Sequence, residues 1–410
     1  MRRSAVLFLA VLILPVAADM GCCQDAYQVE AESPVSLRAL VDVRFVIPGK
    51  APSWTDNGPG KARYGGRSTA GGSERVTRFA LSQFALEPEA SLPWGIQAHA
   101  QLNWEGDVDD NGDITNDHWP LLIEAYLRKE WGDWSAGWGV QSGVLSVPFS
   151  LEHTGPAWTS PYTLTPSALN TWLWDDQRIV GAEVEWWRVV RNGTRVGVFF
   201  GTGWGPDRTG SLLAQRGWVL SDHLSGVNSD LPLPQPGREA SAFDERDGRP
   251  AIYSGLSLHD PWEIGEFRLG YLDNLGDQGT PGVWETRYGT AGVVLHPLPR
   301  IELLFQYLAG ETQTHVNHFD SRFSTFYPLL SYRYRGHRVT VRYDNFRVED
   351  EDGPPSSRER GDAVTLAYLF EFWLRHRVGV EYIFINSHRP TASAPDPSDD
   401  ICQISYRYRY

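Results

Sequence analysis

The chain has 410 residues, 51 acidic and 37 basic, and a formal net charge of −14. A net acidic chain without basic, aromatic-interleaved tracts excludes nucleic-acid binding, and three Cys exclude a disulfide framework. Mean hydropathy is −0.36 although aromatics reach 12% of residues, and no long apolar run follows the N-terminal segment, which excludes a helical membrane protein.

The N-terminus reads as a secretory signal over 1–18. Arg2 and Arg3 form a basic region, Ala5 to Val16 an apolar one, and Val16-Ala17-Ala18 supplies small residues for cleavage. A lipoprotein signal at Cys22 is disfavoured because Asp19 stands where an aliphatic residue is required. Residues 19–35 follow as a mature N-terminal segment, and 36–410 as one transmembrane β-barrel domain.

Within that domain, alternating segments of about ten residues recur, as barrel strands do. They are expected at 36–46, 75–87, 94–105, 120–131, 134–145, 178–188, 194–203 and 251–258. The series continues at 264–273, 285–296, 300–311, 325–335, 337–348, 362–374, 377–386 and 401–410. The clearest is Trp94 to Glu105. Trp94, Ile96, Ala98, Ala100, Leu102 and Trp104 alternate there with Gly95, Gln97, His99, Gln101, Asn103 and Glu105. A period of 2 sends the two sets to opposite faces; lipid outside and water inside account for both.

About sixteen strands are therefore expected, an even number suited to a bacterial outer-membrane barrel. The strands are joined alternately by tight turns, such as Arg191-Asn192-Gly193 and Arg335-Gly336-His337, and by long connections. The long ones are 47–74, 106–119, 146–177, 204–250, 274–284, 312–324, 349–361 and 387–400. All eight fall on one side if the first strand rises from the periplasm. The last strand alternates Ile404, Tyr406, Tyr408 and a terminal Tyr410 with Ser405, Arg407 and Arg409. Such an aromatic carboxy-terminus suits an outer-membrane assembly signal.

Three features bear on function. By strand parity, Arg38, Arg44, Arg333, Arg338, Arg342 and Arg407 face the lumen as a basic wall. Glu124, Glu183, Glu185, Glu266, Glu285 and Glu302 form an acidic wall elsewhere. Opposed walls of this kind set up a transverse field. In the second long connection, Asp107, Asp109, Asn111 and Asp113 have the spacing of a calcium loop, with Gly112 at the sixth place. His118 replaces the twelfth-position Glu, so a solvated acidic loop is the commoner meaning and Ca²⁺ the only cofactor to consider. His and Ser residues show no metal-ligand pair or nucleophile elbow, so no enzyme is expected.

Gly143-Val-Leu-Ser-Val-Pro-Phe-Ser-Leu-Glu152, followed by Asp175-Asp176-Gln177-Arg178 and Val180-Gly181-Ala182-Glu183, resembles the phosphate-selective porin O and P family. The resemblance covers the central third of the chain. It implies a trimeric, sixteen-stranded porin whose third long loop, here 146–177, folds inward and constricts the channel at Phe149, Glu152 and His153. Phosphate selectivity does not transfer, since Ser146 to Trp174 contains no Lys or Arg and an anion leaving water requires positive charge.

The expected function is passive diffusion of small hydrophilic solutes or ions, including anions, through the outer membrane. Lipid and lipopolysaccharide surround the barrel, and divalent cations bridge its acidic loops to the lipopolysaccharide. The alternatives are a barrel with a plugged lumen acting as an adhesin or binding protein, and a barrel hydrolase.

Overall fold

The computed structural model describes residues 34–410, except 70–71, 109–113, 116–119, 176, 234–238, 263, 316–318, 351–357 and 390–397. The expected signal segment thus lies outside the described residues. So do Asp109, Asn111 and Asp113 of the calcium-like loop, and Asp107 is described only as backbone of the short strand Asp107–Val108.

Sixteen antiparallel strands close on themselves, each paired with its neighbours in sequence. They are β1 (Val35–Ile47), β2 (Arg78–Leu92), β3 (Ile96–Trp104), β4 (Leu121–Gly132), β5 (Ala136–Leu145) and β6 (Ile179–Val189). Next come β7 (Arg195–Trp204), β8 (Ala251–His259), β9 (Gly265–Asp273), β10 (Glu285–Leu298) and β11 (Ile301–Thr314). The last are β12 (Phe319–Tyr334), β13 (His337–Asp350), β14 (Glu359–Phe372), β15 (His376–His388) and β16 (Ser398–Arg409). Because successive strands reverse direction, the eight connections expected to be long all emerge at one end and the tight turns at the other. The one expected at 312–324 is only 315–318, because β11 and β12 extend further than the alternation showed.

Closure uses the two chain ends. β1 pairs with β16 from Leu40↔Arg409 to Ile47↔Cys402. Beyond this ladder, Tyr410 N–H donates to Ala39 O at 2.9 Å and Ala39 N–H to Tyr410 O at 3.2 Å. These bonds leave the barrel sheet without a free edge, which backbone in hydrocarbon requires.

Alternation divides the two faces. On β13, Val339, Val341 and Tyr343 point outward and are exposed, whereas Arg338, Thr340, Arg342 and Asp344 are buried on the inner face. Aromatics crowd the short-turn end of the outer surface, where Trp94, Trp134, Trp262 and Trp373 are among the most exposed side chains. That is where interfacial Trp belongs.

Two expectations need correction. Trp94 does not begin β3; it lies in the turn Pro93–Gly95 with φ 65°, since Pro93 cannot donate to the ladder and Gly95, at φ 71°, completes the reversal. Glu285 does not face the lumen. It shares its strand parity with exposed Arg287 and Leu295 and accepts from Gln278 at the long-loop end of β10.

Candidate transport pathway inside the barrel

The third long connection leaves β5 at Leu145 and turns into the barrel. Glu124 on β4 receives it: Ser146 N–H donates to Oε1 at 3.2 Å and Trp158 Nε1–H to Oε2 at 3.0 Å. Phe149, wholly buried, wedges among Phe199, Tyr253 and Tyr288 of the wall, with ring centroids 6.1, 6.4 and 5.9 Å away. Gly270 makes this possible, since a Cβ there would lie 2.4 Å from the Phe149 ring. Arg268 Nη1 donates to the carbonyls of Pro148 and Ser150 at 3.1 and 3.0 Å, which anchors the descending backbone.

At the bottom of the loop sits Glu152, fully buried. It accepts from Arg342 Nη1 at 2.8 Å, Ser167 N–H at 2.9 Å and Asn170 Nδ2 at 3.0 Å. Burial alone would raise the Glu152 carboxyl pKa; the Arg342 guanidinium, with His153 and the Ser167 amide, outweighs it and lowers the group. His153 is also buried, with Nδ1 3.2 Å from Ser150 Oγ and its ring edge-on to Trp174. Burial pushes its pKa down to about 4; Glu152 opposes this while Arg178 and Arg342 add to it.

The loop then rises through α1 (Ala168–Asp175), every residue of which is buried. Ser167 caps it by accepting the Asn170 N–H at 3.2 Å, and Asp344 of the wall accepts the Ala168 N–H at 3.0 Å. Glu381 on β15 takes the Leu164 and Thr165 amides at 2.7 and 3.1 Å. Two more connections enter behind it. Trp54 from the first and Leu212, Trp218 and Leu220 from the fourth are buried. Lys61 and the Trp218 N–H both meet Glu359 on β14.

The six basic and six acidic wall residues are not segregated as expected. Arg342 pairs with Glu152 and Asp344, both at 2.8 Å, and Arg338 with Glu302 at 3.1 Å. Arg44 meets Asp222 at 2.9 Å and Asp42 at 3.4 Å, and Asp42 also binds Arg407. Glu185 pairs with Arg128 at 2.8 Å, Glu266 with Arg268, and Glu183 accepts from Gln141 Nε2 at 3.0 Å. Arg38 pairs with Glu89, and both it and Arg333 are exposed at the short-turn mouth. Charges left apart in a low-dielectric interior carry a large desolvation cost, so guanidiniums and carboxylates lie side by side.

Among the described residues, buried Arg178 and Arg377 both keep guanidinium nitrogens without a hydrogen-bond partner. Arg377 on β15 is buried directly across from Arg407 on β16, and its Nε and Nη2 have no hydrogen-bond partner. Its Nη1 reaches Ser160 O at 3.4 Å. Ser160, Arg407, Arg44, His153, Trp158 and Asp222 line a narrow cleft between the inward loop and the wall of β1 and β16. Arg377 is lumen-facing by strand parity in the sequence, or else a strand-end snorkelling residue, whereas Asp42, Asp222, Arg268, Asp344 and Glu381 were not singled out by sequence. Their signal was present for four of them: Asp42, Arg268, Asp344 and Glu381 each stand at an inward position of a strand already read as pore wall.

These features define a transmembrane antiparallel β-barrel with an inward-folded third loop. The chain matches no protein-family model and no curated protein. Among solved structures it is similar to the outer membrane channel DcaP of Acinetobacter baumannii, at 12% identity and TM-score 0.57, covering 92% of this chain and 97% of that one. It is also similar to an anion-selective porin from Comamonas acidovorans, at 12% identity and TM-score 0.54, covering 92% and 99%. OmpF of Salmonella typhi, in complex with daunomycin, aligns at 11% identity and TM-score 0.53 over 92% and 97%. At such identities the likeness is one of fold.

Proposed function

We propose that this chain is an outer-membrane porin through which small hydrophilic solutes and ions diffuse passively, with a preference for anions. The carrying observation is the cleft beside the inward loop, lined by Arg44 and Arg407 against the single carboxylate of Asp222, with Arg377 buried next to Arg407 and in ion-pair contact with no carboxylate among the described residues. A buried cation with no carboxylate in ion-pair contact among the described residues favours a mobile anion in its place. The fold likeness to an anion-selective porin agrees with this reading. The resemblance of 143–152 to phosphate-selective porins contributes the inward loop but not a phosphate site. Export by the N-terminal segment, assembly as a homotrimer and lipopolysaccharide contact at the long-loop end belong to the same proposal, as does calcium at Asp107–Asp113. No catalytic step is assigned.

The test is single-channel recording in planar bilayers with a salt gradient. Discrete conductance steps and an anion-directed reversal potential support the proposal. A second reading, a plugged barrel that binds through its outer loops, is favoured by the burial of Trp54, Leu212, Trp218 and Leu220 inside the wall. Absence of conductance steps from a folded barrel would select it.

A further inference from the structure

Outside the cleft, one group of acidic side chains is arranged unlike the rest. Asp207 follows β7, while Glu245 and Asp247 lie near the end of the same long connection; one carboxylate oxygen from each falls within 4.8 Å of the others. Asp207 has no exposed surface, and the other two are half-buried. The nearby cations are engaged elsewhere, Arg208 and Arg246 with Asp244 at 3.2 and 2.7 Å and Arg249 with Asp277 at 3.3 Å. Thus three mutually repelling carboxylates converge without a basic partner of their own among the described residues.

Backbone amides hold the group in place. Asp207 Oδ2 accepts from the amides of Arg246 and Asp247, and the Glu245 oxygens from Gly205 and Gly248 at 3.0 and 2.8 Å. Asp247 accepts from Arg249 at 2.7 Å and from Asp277 at 2.6 Å. The second oxygen of Asp207, Oδ1, is buried and has no hydrogen-bond partner. A buried carboxylate oxygen left unpaired costs free energy, and two neighbouring anions add to that cost. Both penalties vanish if a cation occupies the space these oxygens face. Oxygen-only donors without His or Cys suit a hard divalent ion, and half-buried, loop-borne ligands suit calcium better than octahedral magnesium.

We propose that Asp207, Glu245 and Asp247 form a calcium site that rivets the two ends of the β7–β8 connection together where it packs on the β9–β10 connection. The two connections already meet there: Trp284 N–H donates to Asp207 O at 2.7 Å, and Asn274 Nδ2 to Pro206 O at 2.9 Å. The riveted connection is the one that carries Leu212 and Trp218 into the barrel. Calcium would therefore set how firmly that segment is held. The site is separate from the acidic loop at Asp107–Asp113.

The test uses the full chain refolded in detergent, with terbium luminescence excited through Trp and thermal melts with and without calcium. Sensitised terbium emission that calcium displaces is expected, with an affinity on the order of 0.1–1 mM, as in extracellular modules. Calcium should also raise the melting temperature. Asp207→Asn retains an oxygen for the Arg246 and Asp247 amides but removes the charge; it should lose about tenfold or more in calcium affinity and the melting shift. Asp109→Ala should keep the part of both responses that Asp207→Asn removes, whatever the acidic loop at Asp107–Asp113 adds. If Asp207→Asn does not fold, the Glu245→Gln, Asp247→Asn double variant gives the decision. No calcium response in the parent protein, or an undiminished response in the folded Asp207 or double variant, overturns the site.

Discussion

Arg342 Nη1 donates to Glu152 Oε1 at 2.8 Å with neither side chain exposed to solvent, and through this pair β13 holds the tip of the inward loop. Arg342 also donates to the carbonyls of Thr165 and Pro166, so one guanidinium ties both limbs of the loop to the wall. Removing one member of a buried pair leaves the other charge desolvated, at a cost of about 3–5 kcal/mol. Arg342→Ala should therefore lower the thermal unfolding midpoint in detergent and raise single-channel conductance or noise as the loop loosens. Unchanged conductance from a folded Arg342→Ala barrel would separate the pair from the channel.

Gly270 allows the close approach of Phe149, whose ring would lie 2.4 Å from an added Cβ. The ring is held on other sides by Phe199, Tyr253 and Tyr288, so it cannot retreat without moving the loop. Gly270→Ala should destabilise the barrel by about 1–3 kcal/mol, the usual cost of overpacking. The companion variant Gly270→Ala, Phe149→Leu should recover part of the loss. A single variant with the parent melting curve would mean that Phe149 is not wedged there.

His153 and Glu152 predict an acid-sensitive loop. Burial lowers the His153 pKa to about 4, below its ordinary value of 6.5. The unfolded chain therefore takes up this proton first as pH falls. His153 leaves stability unaffected above about 6.5 and removes it progressively down to about 4, by on the order of 3 kcal/mol in full. Glu152, held below its ordinary range, stabilises the fold above that range and loses its contribution at still lower pH. Chemical-denaturant midpoints between pH 7 and pH 4 should fall in the parent protein. They should fall less in His153→Gln; an identical pH profile in that variant would refute the assignment.

The barrel was legible in the sequence because its cause is local. Alternation along single segments such as 337–348 and 377–386 reports directly on lipid outside and protein inside, and all sixteen strands appear where it occurs. Failures at Trp94 and Glu285 fall at strand ends, where turn chemistry replaces the two-residue period. The interior was less legible because its partners are far apart in sequence. Arg342 meets Glu152, and Arg44 meets Asp222, only through inward loops. Parity could assign Arg342 to the inner face but not tell that a carboxylate waits there. One clue lay in the strands themselves: Leu304, Leu308, Phe323 and Tyr327 stand at inward positions and are buried, so part of the interior is dry and packed. The carboxylates two residues away on the same face, Asp42 beside Arg44 and Asp344 beside Arg342, were another.

Ion selectivity should depend on Arg377 more than on the exposed Arg333. Arg333 lies in the short-turn mouth with Arg300, Arg335 and Glu371, where water screens its charge. Arg377 is buried opposite Arg407, and Asp42 is already shared between Arg407 and Arg44. An extra positive charge beside the low-dielectric cleft that Arg407 and Ser160 line acts strongly on a passing ion, because Coulomb energies there exceed those at the mouth several-fold. Arg377→Gln removes the charge while keeping hydrogen-bonding capacity toward Ser160 O. It should shift the reversal potential in a salt gradient toward cations, whereas Arg333→Ala should leave it near the parent value. Equal shifts from both substitutions, or none from Arg377→Gln in a conducting channel, would move the selectivity filter away from the Arg377–Arg407 pair.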